Sequence, residues 1–407
     1  MLNKKIIAEN RTVGISSCHK NRSEVTIFSG GTGWNDIARE FHTFFSNVNY
    51  ILTTTDNGGS TGQIRELHGG PGCGDHRSRI IRLADESTTL AQSLKKLLAK
   101  RLTKDTRSKA KKEWFNILHG TGHLWDNIPQ AHRNIILTSL LKFEQERIMK
   151  TNEFNFDFRG GSIGNFFFAG TRLMYDSLDS AIYMFSRLLN LPQTISVIPT
   201  IKTNDFATIG VELRSGELIK GQNEISHPSP KNKPTSFDKH HQHKLPSPIK
   251  KLFYLNKYGD IFNPEAHPQA LSAIGSSDAL IYSIGSLYTS IIANLIVEGV
   301  GEKIAAGNFS KIKLLNGYND RETYGMNSID YIIAVTEGLN RYGKLRNRPE
   351  HYIQKLFYTE NSKIPVDLAG IKAMGITPVK VKTASHSSTD EPHYSKSELL
   401  KKIQQEI

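Results

Sequence analysis

Val25-Thr26-Ile27-Phe28-Ser29-Gly30-Gly31-Thr32-Gly33 is the stretch on which the fold turns. A short β-branched and aromatic run stops at a glycine cluster, and Ile37, Ala38, Phe41, Phe44 and Phe45 then recur at helical spacing. The pattern is strand, glycine loop, helix. A second strand over Val48 to Thr54 ends in Asp56-Asn57-Gly58-Gly59-Ser60, and the connection between the two is short enough for a parallel βαβ unit. A third turn of small residues, Gly69-Gly70-Pro71-Gly72-Cys73-Gly74, leads to Asp75, which reads as the N-cap of a helix carrying Arg77, Arg79, Ile80, Ile81, Arg82 and Leu83.

Outward from this core the theme repeats. Helical patterns cover Ile128 to Met149 and Ser162 to Leu191, and strand signals follow at Thr194 to Ile201 and in a hairpin, Thr208 to Leu213 and Leu218 to Gly221, turned at Ser215-Gly216. Ala279 to Ile284 is an apolar strand that ends in Gly285-Ser286 and enters a helix at Leu287. A strand at Lys311 to Asn316, helices at Ser328 to Leu339 and Leu368 to Met374, and a strand at Ile376 to Val381 complete the alternation. Ser395, with Glu398 three residues on, is the signature of a capped final helix. Alternating strands and helices predict an α/β fold, a doubly wound, mostly parallel sheet with helices on both faces and insertions. Ligands of such sheets sit beyond the carboxyl ends of the strands, where these glycine loops fall.

We expect an extension over residues 1–22, one α/β domain over 23–382, and a tail with a helix over 383–407. The expected insertions are the polar, basic stretch 88–127 and the Pro-, Lys-, Ser- and His-rich stretch 226–250. These two hold much of the excess positive charge, +13 over 407 residues. With no interleaved aromatic residues they read as solvated faces rather than a nucleic-acid surface. Only Cys18 and Cys73 are present, so no disulfide framework is expected. No apolar run reaches the length of a membrane span or a signal-peptide core, which predicts a cytoplasmic protein without a membrane partner.

Glycines at a strand-to-helix junction let backbone amides and the helix dipole face an anion, so Gly30, Gly31, Thr32 and Gly33 are candidates for holding phosphate. The same glycines also suit a tight turn that binds nothing. The loop is neither GxGxxG, since Asp36 stands at the third glycine position, nor a P-loop. Asp56 is a candidate Mg2+ ligand or orienter of a hydroxyl, with Asn57, Gly58, Gly59 and Ser60 beside it; its bland alternative is a self-bonded turn. Gly74 and Asp75 offer a second carboxylate, Arg77 a phosphate clamp, and Asn165 a polar group leading into Phe166-Phe167-Phe168. Gly285, Ser286 and Tyr288 repeat the phosphate-loop pattern. His240, His241 and His243 lack a carboxylate or cysteine frame, and Gly120 and Gly122 break the helix that would join His119 to His123, so neither group is read as a metal site.

Taken together, FSGGTG at Phe28 to Gly33, TDNGGSTG at Thr55 to Gly62, GGPGCGDHRSRIIRLAD at Gly69 to Asp85, FRGGSIGN at Phe158 to Asn165 and IGSLYTSI at Ile284 to Ile291 resemble one family. It is the family of 2-phospho-L-lactate transferase (CofD) and the bacterial gluconeogenesis factor (YvcK), and the resemblance runs from about Ser23 to Val381. It implies a Rossmann-like fold and a nucleotide-linked small-molecule ligand of GDP or UDP type. The transferase branch uses Mg2+ to move a phospholactyl group from a guanosine-diphosphate-linked donor to a hydroxyl of a deazaflavin precursor. The other branch binds UDP-sugars and supports carbon metabolism. By position, Gly30 to Gly33 would hold phosphate, Asp56 would lie at the reacting or metal site, and Gly285 and Ser286 would close the far side. Asn57 stands where the family commonly has a second aspartate, Ser283-Ile284 replaces Gly-Pro, and the segment Lys95 to Asp126 is unlike compact members, which suggests a separate branch. Two readings follow: a Mg2+-dependent transferase, and a non-enzymatic nucleotide-binding regulator that Asn57 favours. A homodimer is compatible with either.

Overall fold

A computed structural model describes residues 21–150, 155–228, 244–343, 346–384 and 391–407. The strands are β1 (Asn21–Phe28), β2 (Phe45–Leu52), β3 (Ile195–Pro199), β4 (Thr208–Leu213), β5 (Leu218–Lys220), β6 (Ile249–Leu255), β7 (Ile261–Phe262), β8 (Ala279–Tyr282), β9 (Ser310–Leu314), β10 (Lys355–Thr359) and β11 (Thr377–Val381). Seven of them form one sheet in the order β11-β10-β9-β8-β1-β2-β3, and every pair is parallel. The chain winds one way from β1 through β2 to β3, and the other way from β8 to β11. The expected doubly wound fold is therefore present, and its direction reverses between β1 and β8, which pair from Val25↔Ala279 to Phe28↔Tyr282. A crevice opens at such a reversal because the loops leaving the two central strands diverge to opposite faces.

Side-chain alternation explains why both faces are covered. Val25, Ile27, Val48, Tyr50 and Leu52 enter one apolar core, while Phe28, Ile51, Leu280 and Tyr282 enter a second core on the opposite face. The helices that matter for the site are α1 (Asn35–Phe44), α2 (Gly59–His68), α3 (Gly74–Leu83), α4 (Thr89–Ala99), α5 (Arg107–Leu118), α6 (Gln130–Met149), α7 (Ile163–Tyr175), α8 (Leu178–Leu188) and α9 (Gln222–Ser226). Among the described residues no helix is long and apolar enough to cross a membrane.

Several local expectations need correction. The basic stretch 88–127, expected as a solvated insertion, exposes most of its charges but also has a buried side. It folds into α4 and α5, capped by Thr88 and Thr106, and buries Leu94, Leu97, Leu98, Ala110, Trp114 and Ile117 in the first core. Its lysines mask an apolar stripe at helical spacing. The stretch Ser162 to Leu191 is two helices, because Asp176 turns left-handed at φ 45° and Ser177 caps the next one. The hairpin belongs to a separate antiparallel sheet, β5-β4-β6-β7, inserted between β3 and β8. Its strand β6 overlaps the end of the expected loop 226–250, since Ile249, Leu252 and Tyr254 supply buried apolar surface against β4. Residues 229–243, with His240, His241 and His243, lie outside the described residues. β10 was absent from the sequence reading, and Ser395 precedes the last helix without a side-chain cap bond.

Candidate functional site

The first and fourth glycine loops meet at the reversal point. A methyl group built on Gly33 would lie 2.8 Å from the Ile284 carbonyl oxygen and 2.9 Å from the Gly285 Cα. One built on Gly30 would lie 2.4 Å from Ser290 Oγ. These glycines therefore let two backbones touch, while Thr32 and Gly33 stay exposed at the crevice. Gly31 differs. Its Cβ position is 2.0 Å from Asp75 Oδ1, and its N–H donates to the Asp75 carboxylate. Asp75 is thus not the N-cap of α3, a position held by Cys73, but its second residue, aimed from the first turn into the β1 loop.

Asp56 reaches the same place from β2. The Gly58 N–H donates to its Oδ1 at 3.0 Å, so the self-bonded turn is real. Its Oδ2 faces Gly74, where a methyl would sit 2.0 Å from that oxygen and 2.6 Å from Thr61 Oγ1. The Asp75 carboxyl is pushed up to about 7, first by burial and then by the charge of Asp56, with Arg79 and Arg77 opposing. Two hard carboxylates therefore share one side of the crevice below two glycine loops. Among the described residues no group of three His, Cys, Asp or Glu converges as a metal cage. Mg2+ commonly takes one or two carboxylates and completes its shell with water and substrate phosphate, so this donor set fits it. Gly74→Ala is expected to drive the Asp56 carboxylate off this position with an unchanged far-UV spectrum, which a crystal structure of the variant checks.

The rest of the second loop is largely structural. Asn57 turns away from the crevice: its Oδ1 accepts from the Asn223 N–H at 2.8 Å and its Nδ2 donates to Glu224 Oε2 at 3.0 Å, fastening α9. It is not positioned as a ligand. Ser60 Oγ accepts from Asn165 Nδ2 at 3.0 Å, and Thr61 Oγ1 accepts from the same amide at 3.1 Å. Asn165, 2% exposed, ties α7 to the start of α2, and its Oδ1 is buried without a partner. Gly58 caps α2 with no side chain over it, and Gly59 is exposed at φ 50° with nothing within 4 Å of its Cβ position, so this helix end stays open.

The arginines divide by role. Arg79 is fully buried and donates to Ser29 Oγ at 3.2 Å and to the Gly30 carbonyl at 3.0 Å, so it braces the β1 loop rather than a ligand. Arg82 is exposed. Arg77, 9% exposed, keeps a buried Nε without a partner and feels both Asp56 and Asp75. Arg65 carries no recognisable motif. At 3% exposure it donates to the carbonyls of Thr55, Asp56, Gly70 and Ala207, stacks on Phe206, and so clamps the Asp56 loop. Its sequence signal is an arginine between Ile64 and Leu67 on the buried side of α2.

The loop after β8 is occupied from within. Gly285, at φ 135°, exchanges hydrogen bonds with Asn316, and the N–H groups of Tyr288 and Thr289 donate to Glu322 Oε2 at 2.9 and 3.1 Å. The expected phosphate loop at Gly285, Ser286 and Tyr288 thus already holds a carboxylate, and Gly285 contributes by packing on Gly33. Burial and Asp320 push Glu322 up to about 8. Because the folded value lies above the unfolded one, ionisation opposes folding, and stability falls as pH rises from about 4.5 to about 8. Glu322→Gln should flatten that fall, measurable as urea midpoints at pH 5 and pH 9.

His119 and His123 do not form a pair, since His119 contacts the Phe115 carbonyl and His123 contacts Asp126. What the geometry defines is a doubly wound α/β protein whose reversal point carries an acid pair, buried guanidinium groups and glycine-thin backbone. Residues 25–384 match the model of the family "2-phospho-L-lactate transferase CofD", and the chain belongs to that family. It is 31% identical to "Uncharacterized protein YNL011C" of Saccharomyces cerevisiae, over 84% of this chain and 91% of that one. It is 23% identical to the "Gluconeogenesis factor" of Halalkalibacterium halodurans, over 87% and 88% of the two chains. A crystal structure of a UPF0052 family member from Bacillus halodurans superposes with a TM-score of 0.65 at 20% identity, covering 94% of this chain and 99% of the other, and shares the fold.

Proposed function

We propose that the protein is a CofD-like transferase that binds a nucleoside-diphosphate-linked donor across the β1/β8 crevice and transfers its distal phosphoryl group to an acceptor hydroxyl. The observation that carries this reading is the convergence of Asp56 and Asp75 beneath the β1 loop, with Asp75 held near neutrality. A carboxylate of that kind suits a base working at physiological pH. Asp56 would hold Mg2+, which when bound would neutralise charge on the phosphoryl oxygens, and would leave Asp75 free to act on the acceptor. The acceptor oxygen forms the new bond to the distal phosphorus, the anhydride P–O bond breaks, nucleoside monophosphate leaves, and the acceptor proton passes to Asp75. The open N-terminus of α2 and the exposed Thr32-Gly33 edge favour the negative charge that develops. The test is release of nucleoside monophosphate from GDP- or UDP-linked donors with Mg2+, followed by mass spectrometry. Unchanged turnover in Asp56→Asn would remove Asp56 from the mechanism.

A second reading rests on Asn57, whose side chain fastens α9 instead of adding a second loop carboxylate. On it, the chain is a nucleotide-sugar-binding regulator, and some of its relatives are named gluconeogenesis factor. Saturable binding of UDP-sugars with no product from any donor would favour it.

A further inference from the structure

The corrected stretch 88–127 brings a charge to the site that the sequence reading assigned to solvent. Between α4 and α5 the chain runs beside the start of α7 as a short two-stranded contact: the Leu102 N–H donates to Gly161 at 2.8 Å, the Ile163 N–H donates to Lys100 at 3.0 Å, and Arg101 bridges Ser162. This contact fixes Arg101 at the edge of the site. Gly164, one residue further, has its Cβ position 2.6 Å from the Leu98 carbonyl oxygen and 2.8 Å from Arg77 Cδ, so α4, α7 and the Arg77 side chain close on one point. Both side chains reach the start of α7: Arg101 Nη1 donates to the Gly160 carbonyl at 3.2 Å, and Arg77 Cδ lies against the Cβ position of Gly164. Among the described residues the buried Arg77 Nε has no hydrogen-bond partner. Two guanidinium groups of like charge, one nine-tenths buried with an unfilled donor, are an arrangement that an oxyanion between them would stabilise.

We infer that Arg101 and Arg77 form a two-guanidinium clamp on a phosphate oxyanion of the ligand, so that the basic α4–α5 segment is part of the binding site. This rests on reading the crevice as a nucleoside-diphosphate site. Lysine cannot reproduce the clamp, because an ammonium group lacks the planar fork that engages two oxygens at once.

The test uses the full chain with inorganic pyrophosphate and Mg2+, read by calorimetric titration and by melting temperature. Arg101→Ala should weaken pyrophosphate binding by about tenfold or more, and Arg101→Lys should restore only part of it. Lys112→Ala, which removes an exposed charge of the same segment, should bind within about twofold of the wild type. The ligand-free melting temperature of Arg101→Ala should be unchanged, since the exposed Arg101 gives up one surface hydrogen bond, while the pyrophosphate-induced rise is lost. A ligand-free melting temperature that falls, with the pyrophosphate-induced rise intact, would make Arg101 structural and overturn the clamp. Wild-type binding matched by Arg101→Ala would overturn the clamp and leave the proposed function standing. Wild-type protein that binds neither pyrophosphate nor GDP nor UDP would overturn both.

Discussion

Asp75→Asn is expected to lower turnover by about 10²–10⁴-fold, while donor binding with Mg2+ weakens far less and the far-UV spectrum is unchanged. Asparagine matches aspartate in shape and can still accept from the Gly31 N–H, so the β1 loop keeps its brace. What it cannot do is take the acceptor proton. Removal of the carboxylate also removes an ionised group that burial and Asp56 both oppose, so the variant should be at least as stable as the parent near pH 8. Rapid-quench measurement of monophosphate release beside a thermal melt separates the two effects. Turnover within about threefold of the parent would place the proton elsewhere and leave Asp75 as a brace alone.

Loss of Arg65 should be the most destabilising single change at the site. Arg65→Ala strands the carbonyls of Thr55, Asp56, Gly70 and Ala207, which now share one guanidinium, and it empties the space over Phe206. A buried carbonyl left without its donor costs about 1–3 kcal/mol, and four lose theirs together. Arg65→Lys should recover little, because a point charge cannot reach acceptors on three sides. Urea unfolding gives the stability directly. A cost under about 1 kcal/mol would show that solvent replaces the guanidinium and that the loop does not depend on it. The same experiment bears on function, because Asp56 lies on the clamped loop and its carboxylate should lose its fixed relation to Gly74.

The βα units were legible because each uses local signals. Val25 to Phe28 followed by four small residues can only leave a strand abruptly, and Ile37, Ala38 and Phe41 at helical spacing bury one face, as α1 does. Lysine-rich α4 and α5 were misread because composition was weighed above period, although Leu94, Leu97 and Leu98 carried the helical repeat throughout. β6 is not legible locally because its long partner, β4, lies some forty residues earlier, across the hairpin. At the site, Asp56 and the β1 glycines could be singled out from their strand-end positions, and Asp75 from the turn of small residues before it. The roles of Asn57, Ser60 and Tyr288 could not, since Asn223, Asn165 and Glu322 are remote in sequence and only folding brings them into hydrogen-bond range.

By itself, then, the order of residues determined the alternation of strand and helix, the parallel sheet, and the ends of the strands at which glycine and carboxylate gather, because each depends on neighbours within a few turns. Tertiary structure alone decided which amides stay free and which charges meet. Glu322 fills one glycine loop, Asp75 braces another, and Arg101 arrives at the start of α7 from a segment that sequence assigned to water. Hydrogen bonds and like-charge contacts depend on distances across the fold, and those distances exist only once both cores have packed.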